Sequence, residues 1–112
     1  MSREQKLVYG MLVRDRIPEM IVADGQTPKL RALADRELLP ALIAKLHEEA
    51  EEVASAEPEA RLGELADVRE VLAALTLALG FTEAEVDEAA ADKRAARGGF
   101  ARRLWLDEVH IP

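Results

Sequence analysis

The chain has no cysteine, which excludes disulfides, thiolate metal ligands and a cysteine nucleophile. Long apolar runs are missing too. Nothing approaches the roughly 20 apolar residues needed to cross a bilayer, and the N-terminus has no extended apolar leader segment. A cytoplasmic location without membrane contact is therefore expected. No repeat of fixed period and no low-complexity tract occurs, although alanine is frequent. What is there, 49% hydrophobic and 33% charged residues over 112 positions, fits one globular soluble domain spanning residues 1–112. A core of that size is modest, so pairing with another copy would help to bury apolar helix faces.

Charge is unevenly spread. From Asp35 to Glu70, eleven acids face four bases, and this segment alone carries the whole net charge of −7. An acidic middle repels a nucleic-acid backbone, which argues against duplex binding. A basic stretch follows, with Lys93, Arg94, Arg97, Arg102 and Arg103 close together. Acid beside base suits a metal-bound polyphosphate.

The pattern of apolar residues predicts an all-α domain with short extended ends. Leu7 to Val13, broken by Gly10, reads as extended. Pro18 opens a short helix through Ala23, stopped by Gly25, and residues 26–33 connect. The main helix is expected from an Asp35 N-cap to about Ser55, with Leu39, Leu42, Ile43, Leu46, Ala50 and Val53 as its buried stripe. On that wheel Glu49 is at the border of the stripe and Glu52 beyond it. Pro58 opens the next helix, which runs to Leu79 and stops at Gly80, with Leu65, Val68, Leu72, Leu75 and Leu79 inward. Thr82 and Glu85 match a capping box for a helix from Glu83 to about Ala96, ended by Gly98 and Gly99. Phe100 to Ile111 reads as extended and could pair with the N-terminal stretch, and Phe100 and Trp105 are read as core or subunit-contact residues in preference to a base-stacking platform.

Two carboxylate pairs stand out. Glu49 with Glu52, and Glu64 with Asp67, are i,i+3 pairs on adjoining helices, and Glu64 falls inside an apolar arc beside Val68 and Val71. Burying an unpaired carboxylate costs several kcal/mol, a cost that a cation removes. Hard divalent ions such as Mg²⁺ take oxygen ligands and work with phosphate oxygens of a substrate. If the helices pack antiparallel, the four carboxylates converge, with Glu48 beside them to orient or deprotonate a water. A solvated acidic face, with Lys45 paired to Glu49 at i+4, produces the same pattern without a ligand. Di-iron bundles ask for Glu-x-x-His pairs, and neither pair here ends in histidine. His47 and His110 are read as incidental.

Glu48-Glu49-x-x-Glu52 followed by Glu64-x-x-Asp67 resembles the EExxE…ExxD signature of the all-α nucleoside triphosphate pyrophosphohydrolases, the superfamily of MazG, dimeric dUTPases and phosphoribosyl-ATP pyrophosphohydrolase. The flanks LVRDRIPEMI, KLHEEAEEV, ELADVREVL and KRAARGGFARRLWL are similar to the small MazG-like branch described as predicted house-cleaning pyrophosphatases. The resemblance implies a helical bundle that cleaves a nucleotide between its α and β phosphates with Mg²⁺, or Mn²⁺ in its place. It implies Glu49, Glu52, Glu64 and Asp67 as metal ligands and Glu48 as an auxiliary ligand or catalytic base. Lys93 and Arg97 match basic positions that face the phosphates in relatives. Arg14, in the resembling N-terminal segment with Asp15 and Arg16, is assigned to phosphate, with a structural Arg–Asp bridge at a turn as the alternative. The relatives imply a homodimer or homotetramer. Phosphoribosyl-ATP hydrolysis and a non-catalytic helical oligomerisation module are the competing readings.

Overall fold

The computed structural model describes residues 5–112, so residues 1–4 of the single-domain reading lie outside the described residues. It contains α1 (Ile17–Ala23), α2 (Asp35–Ser55), a 3₁₀ turn (Pro58–Ala60), α3 (Arg61–Ala78) and α4 (Glu83–Arg97). No strand forms among the described residues. The all-α expectation therefore holds at the level of elements.

Local chemistry accounts for the boundaries. Pro18 sits in the first turn of α1, and Gly25, at φ +80°, lets the chain fold back so that the Gln26 N–H donates to Ile21 O at 3.1 Å. The N-cap of α2 is Ala34, which corrects the Asp35 assignment by one position. Alanine cannot cap, so Glu37 reaches back to accept the Ala34 N–H at 3.0 Å, and Arg31 holds that carboxylate at 3.2 Å. These two contacts keep the Glu37 carboxyl below the ordinary carboxylate range, the Arg31 hydrogen bond being the larger cause. Pro58 begins the 3₁₀ turn, and α3 itself starts at Arg61. Gly80, at φ +82°, closes α3, with the Phe81 N–H donating to Thr76 O at 3.0 Å. At α4 the expected capping box forms in both directions, Glu85 N–H to Thr82 Oγ1 at 3.1 Å and Thr82 N–H to Glu85 Oε1 at 3.0 Å.

α2 and α3 pack as a hairpin. Leu42 near the start of α2 meets Val71 and Leu75 toward the end of α3, and Glu52 near the end of α2 meets Glu64 near the start of α3, so the helices run antiparallel. Leu12, Leu38, Leu46 and Ala74 pack around that small core. The seam is thus apolar at one end and acidic at the other.

The buried stripes are rotated from the expected ones. Leu39, Ile43 and Ala50 on α2, Leu65 and Leu72 on α3, and Leu79 just past its end face outward, while Glu49, Glu52, Glu64 and Asp67 turn toward the seam. One helix touching one helix covers only a narrow arc, and each helix has an apolar surface wider than that arc. The N- and C-terminal segments do not pair as expected either. Phe100 is 97% and Trp105 86% exposed, so neither belongs to the core of the chain. A two-stranded ribbon with nothing packed on it is marginal in water, and Leu12 packs on the helix pair instead. α4 is exposed along its whole length. The radius of gyration of 19.5 Å far exceeds the ~13 Å of a compact domain this long.

Candidate metal centre

Four carboxylates meet across the α2–α3 seam. One oxygen each from Glu49, Glu52, Glu64 and Asp67 lie within 4.8 Å of one another. The reason is helical geometry: residues three apart on one helix point the same way, and the antiparallel hairpin sets the two pairs face to face. Glu49, read as bordering the stripe, is only 6% exposed, and Glu52 and Glu64 are half-buried.

Protein cations hold the two ends of the cluster. Lys45 Nζ lies 3.4 Å from Glu49 Oε1 and 3.5 Å from Glu48 Oε1. At the other end Arg14 Nη2 donates to Asp67 Oδ1 at 2.6 Å. Between them, Glu49 Oε2 and Glu64 Oε2 are buried without a hydrogen-bond partner. Burial raises the Glu49 carboxyl above its ordinary value, reinforced by its hydrogen bond and like charge with Glu52 and partly offset by Lys45. Two buried unpaired acceptors in an all-oxygen donor set suit a hard divalent cation, which would give both oxygens a partner. No nitrogen or sulfur donor joins the group, so the set does not favour softer metals.

The expected site residues thus divide. Glu49, Glu52, Glu64 and Asp67 come together. Glu48 is turned to Lys45 and stands outside the group of four. Arg14 reaches the centre, though through Asp67, 53 positions away, and not through a bridge within its own turn. Lys93 and Arg97 do not reach it. They are exposed on α4, and no ion pair joins either to a carboxylate of the cluster among the described residues. α4 begins against Arg69, Glu70 and Ala73, where Glu83, Val86 and Asp87 line a shared groove. Those α3 positions lie about half a turn around the helix from Glu64. Lys45 was the residue that sequence reasoning undervalued. Its i,i+4 spacing to Glu49 was visible, but only packing leaves it 16% exposed and makes it the fixed countercharge of a buried acid.

No helix among the described residues is long and apolar enough to cross a membrane. No family model and no solved structure matches the chain. An uncharacterized protein of Mycolicibacterium smegmatis is 56% identical over 48 residues, a stretch covering 43% of this chain and 49% of that protein. The chain is thus similar to about half the length of this relative.

Proposed function

We propose that this chain hydrolyses nucleoside triphosphates, non-canonical or damaged ones among them, to the monophosphate and pyrophosphate, with Mg²⁺ as cofactor and Mn²⁺ as a substitute. The observation that carries the reading is the convergence of Glu49, Glu52, Glu64 and Asp67 within 4.8 Å, with two buried oxygens left unpaired. The resemblance to MazG-like pyrophosphohydrolases supplies the substrate class. Glu49, Glu52, Glu64 and Asp67 would hold divalent ions, which would supply neutralisation of polyphosphate charge and an acidified water. Glu48, which pairs with Lys45 outside the group of four, would be the base that takes a proton from that water. Lys45 keeps Glu49 Oε1 paired and leaves Glu49 Oε2 for ligation.

Assembly is part of the proposal. The outward-facing Leu39, Ile43, Leu65, Leu72 and Leu79 become buried between copies in a homodimer or homotetramer. Lys93 and Arg97, on the helix that packs behind α3, then serve phosphates bound at a neighbouring copy's cluster. The deciding experiment is pyrophosphate release from a panel of ordinary, deoxy and damaged nucleoside triphosphates with Mg²⁺ or Mn²⁺, with phosphoribosyl-ATP included. Folded protein that releases none from any of them overturns the enzymatic reading. An adaptor module would also show no nucleotide- or Mg²⁺-dependent thermal stabilisation.

A further inference from the structure

Arg14 touches the candidate centre in a way different from Lys45. Lys45 is largely buried and shared by two carboxylates, whereas the Arg14–Asp67 bond lies at the rim, its side chains 55% and 40% exposed. Solvent-exposed pairs of this kind are weak and break at little cost. The backbone beneath Arg14 is fixed on both sides. Leu12 packs on the Leu42, Val71 and Leu75 core, and the Arg14 carbonyl accepts the Ile17 N–H at 3.0 Å at the entry to α1. The side chain can therefore leave Asp67 while staying beside the cluster.

We infer that Arg14 is an exchangeable counter-ion of the carboxylate centre, displaced from Asp67 when a divalent cation enters and then available to phosphate. The inference rests on the proposed cation site and adds its regulation. A divalent charge among Glu49, Glu52, Glu64 and Asp67 repels the neighbouring guanidinium and also withdraws the negative charge that held it. Linkage makes the effect mutual: an ion that loosens the Arg14–Asp67 bond is itself bound less tightly while that bond persists. Lys45 does not exchange in this way, because leaving would strand a buried cation away from both of its partners. Arg14 thus acts through Asp67 as a positioning residue. It neutralises the rim before the ion arrives and brings a planar, bidentate donor to the phosphate side afterward.

The test uses the full chain with Mn²⁺ alone, its affinity read by electron paramagnetic resonance, for wild type, Arg14→Gln and Arg14→Lys. Arg14→Gln should bind Mn²⁺ about tenfold more tightly, because a competing charge is gone. Arg14→Lys, which keeps the charge, should stay within about twofold of wild type. In unmodified protein, the Arg14 Nη–H nuclear magnetic resonance signal should be protected without Mg²⁺ and lose protection at saturating Mg²⁺. Unchanged or weaker Mn²⁺ binding by Arg14→Gln, or an Arg14 signal indifferent to Mg²⁺, overturns the exchange while leaving the cation site intact. Absence of Mn²⁺ binding in all three chains overturns the cation site and the exchange together.

Discussion

Two oxygens set the behaviour of this centre at the scale of single residues. Glu64 Oε2 is buried without a partner, so replacing the carboxylate with an amide has opposite effects on stability with and without metal. In chelator-treated protein Glu64→Gln should be more stable by about 1 kcal/mol, since one of several crowded charges is removed. The same variant should lose Mg²⁺-dependent stabilisation and pyrophosphate release, and paired melting curves with and without Mg²⁺ check both signs. Glu49 predicts a pH dependence. Its folded carboxyl binds its proton more tightly than the ordinary 4.5, so between that value and the raised one the folded chain carries more protons than the unfolded chain. Its contribution to stability without metal therefore falls as pH rises through that interval. Mn²⁺ affinity, which needs the ionised form, falls as pH is lowered through it. Subtracting the melting profile of Glu49→Gln from that of wild type isolates the effect, and a flat difference would contradict it. Sequence spacing made both carboxylate pairs of the cluster legible, because an i,i+3 pair needs only a helix. Which of the neighbouring acids turned inward was not legible: Glu48 follows Lys45 because packing keeps that lysine at the seam.

Boundaries between elements were mostly written in local chemistry. Thr82 with Glu85 built its capping box, and Gly25, Gly80 and Gly98 ended helices with positive φ, because such motifs act through bonds a few residues long. Thr82→Ala should cost about 1 kcal/mol and fray the start of α4, read by circular dichroism melting or amide exchange of residues 83–86. The misassigned cap of α2 has the same kind of cause. Asp35 is a good capping residue, but Arg31 and Ala34 together recruit Glu37 into the role, so the helix begins without a side-chain acceptor at its N-cap. The orientation of the stripes was harder to read. A wheel ranks residues by hydropathy alone, and on α2 and α3 the arc facing the partner helix includes the acids, while Leu39, Ile43, Leu65 and Leu72 lie outside it.

As a whole molecule the chain is incomplete as a hydrophobic solution. Among the described residues three apolar side chains are buried, while α4 and the segment around Trp105 lie open to water. Sedimentation should accordingly give a mass of two or four 12.3 kDa chains, and Leu65→Gln with Leu72→Gln should shift it toward one. If Lys93 and Arg97 serve a neighbour's phosphates, mixing inactive Glu64→Gln chains with inactive Lys93→Ala, Arg97→Ala chains should restore part of the pyrophosphate release that neither has alone. Helical elements, their stops and the two i,i+3 acid pairs could be read from the amino acids, since each depends on contacts within a turn or two. Packing brought the two acid pairs face to face, set Arg14 on Asp67 and Lys45 beside a buried Glu49, and laid α4 behind α3, away from the acids. Those outcomes depend on how far one helix rotates against another, and that rotation is set by summed packing and charge across the seam, which no local stretch of sequence contains.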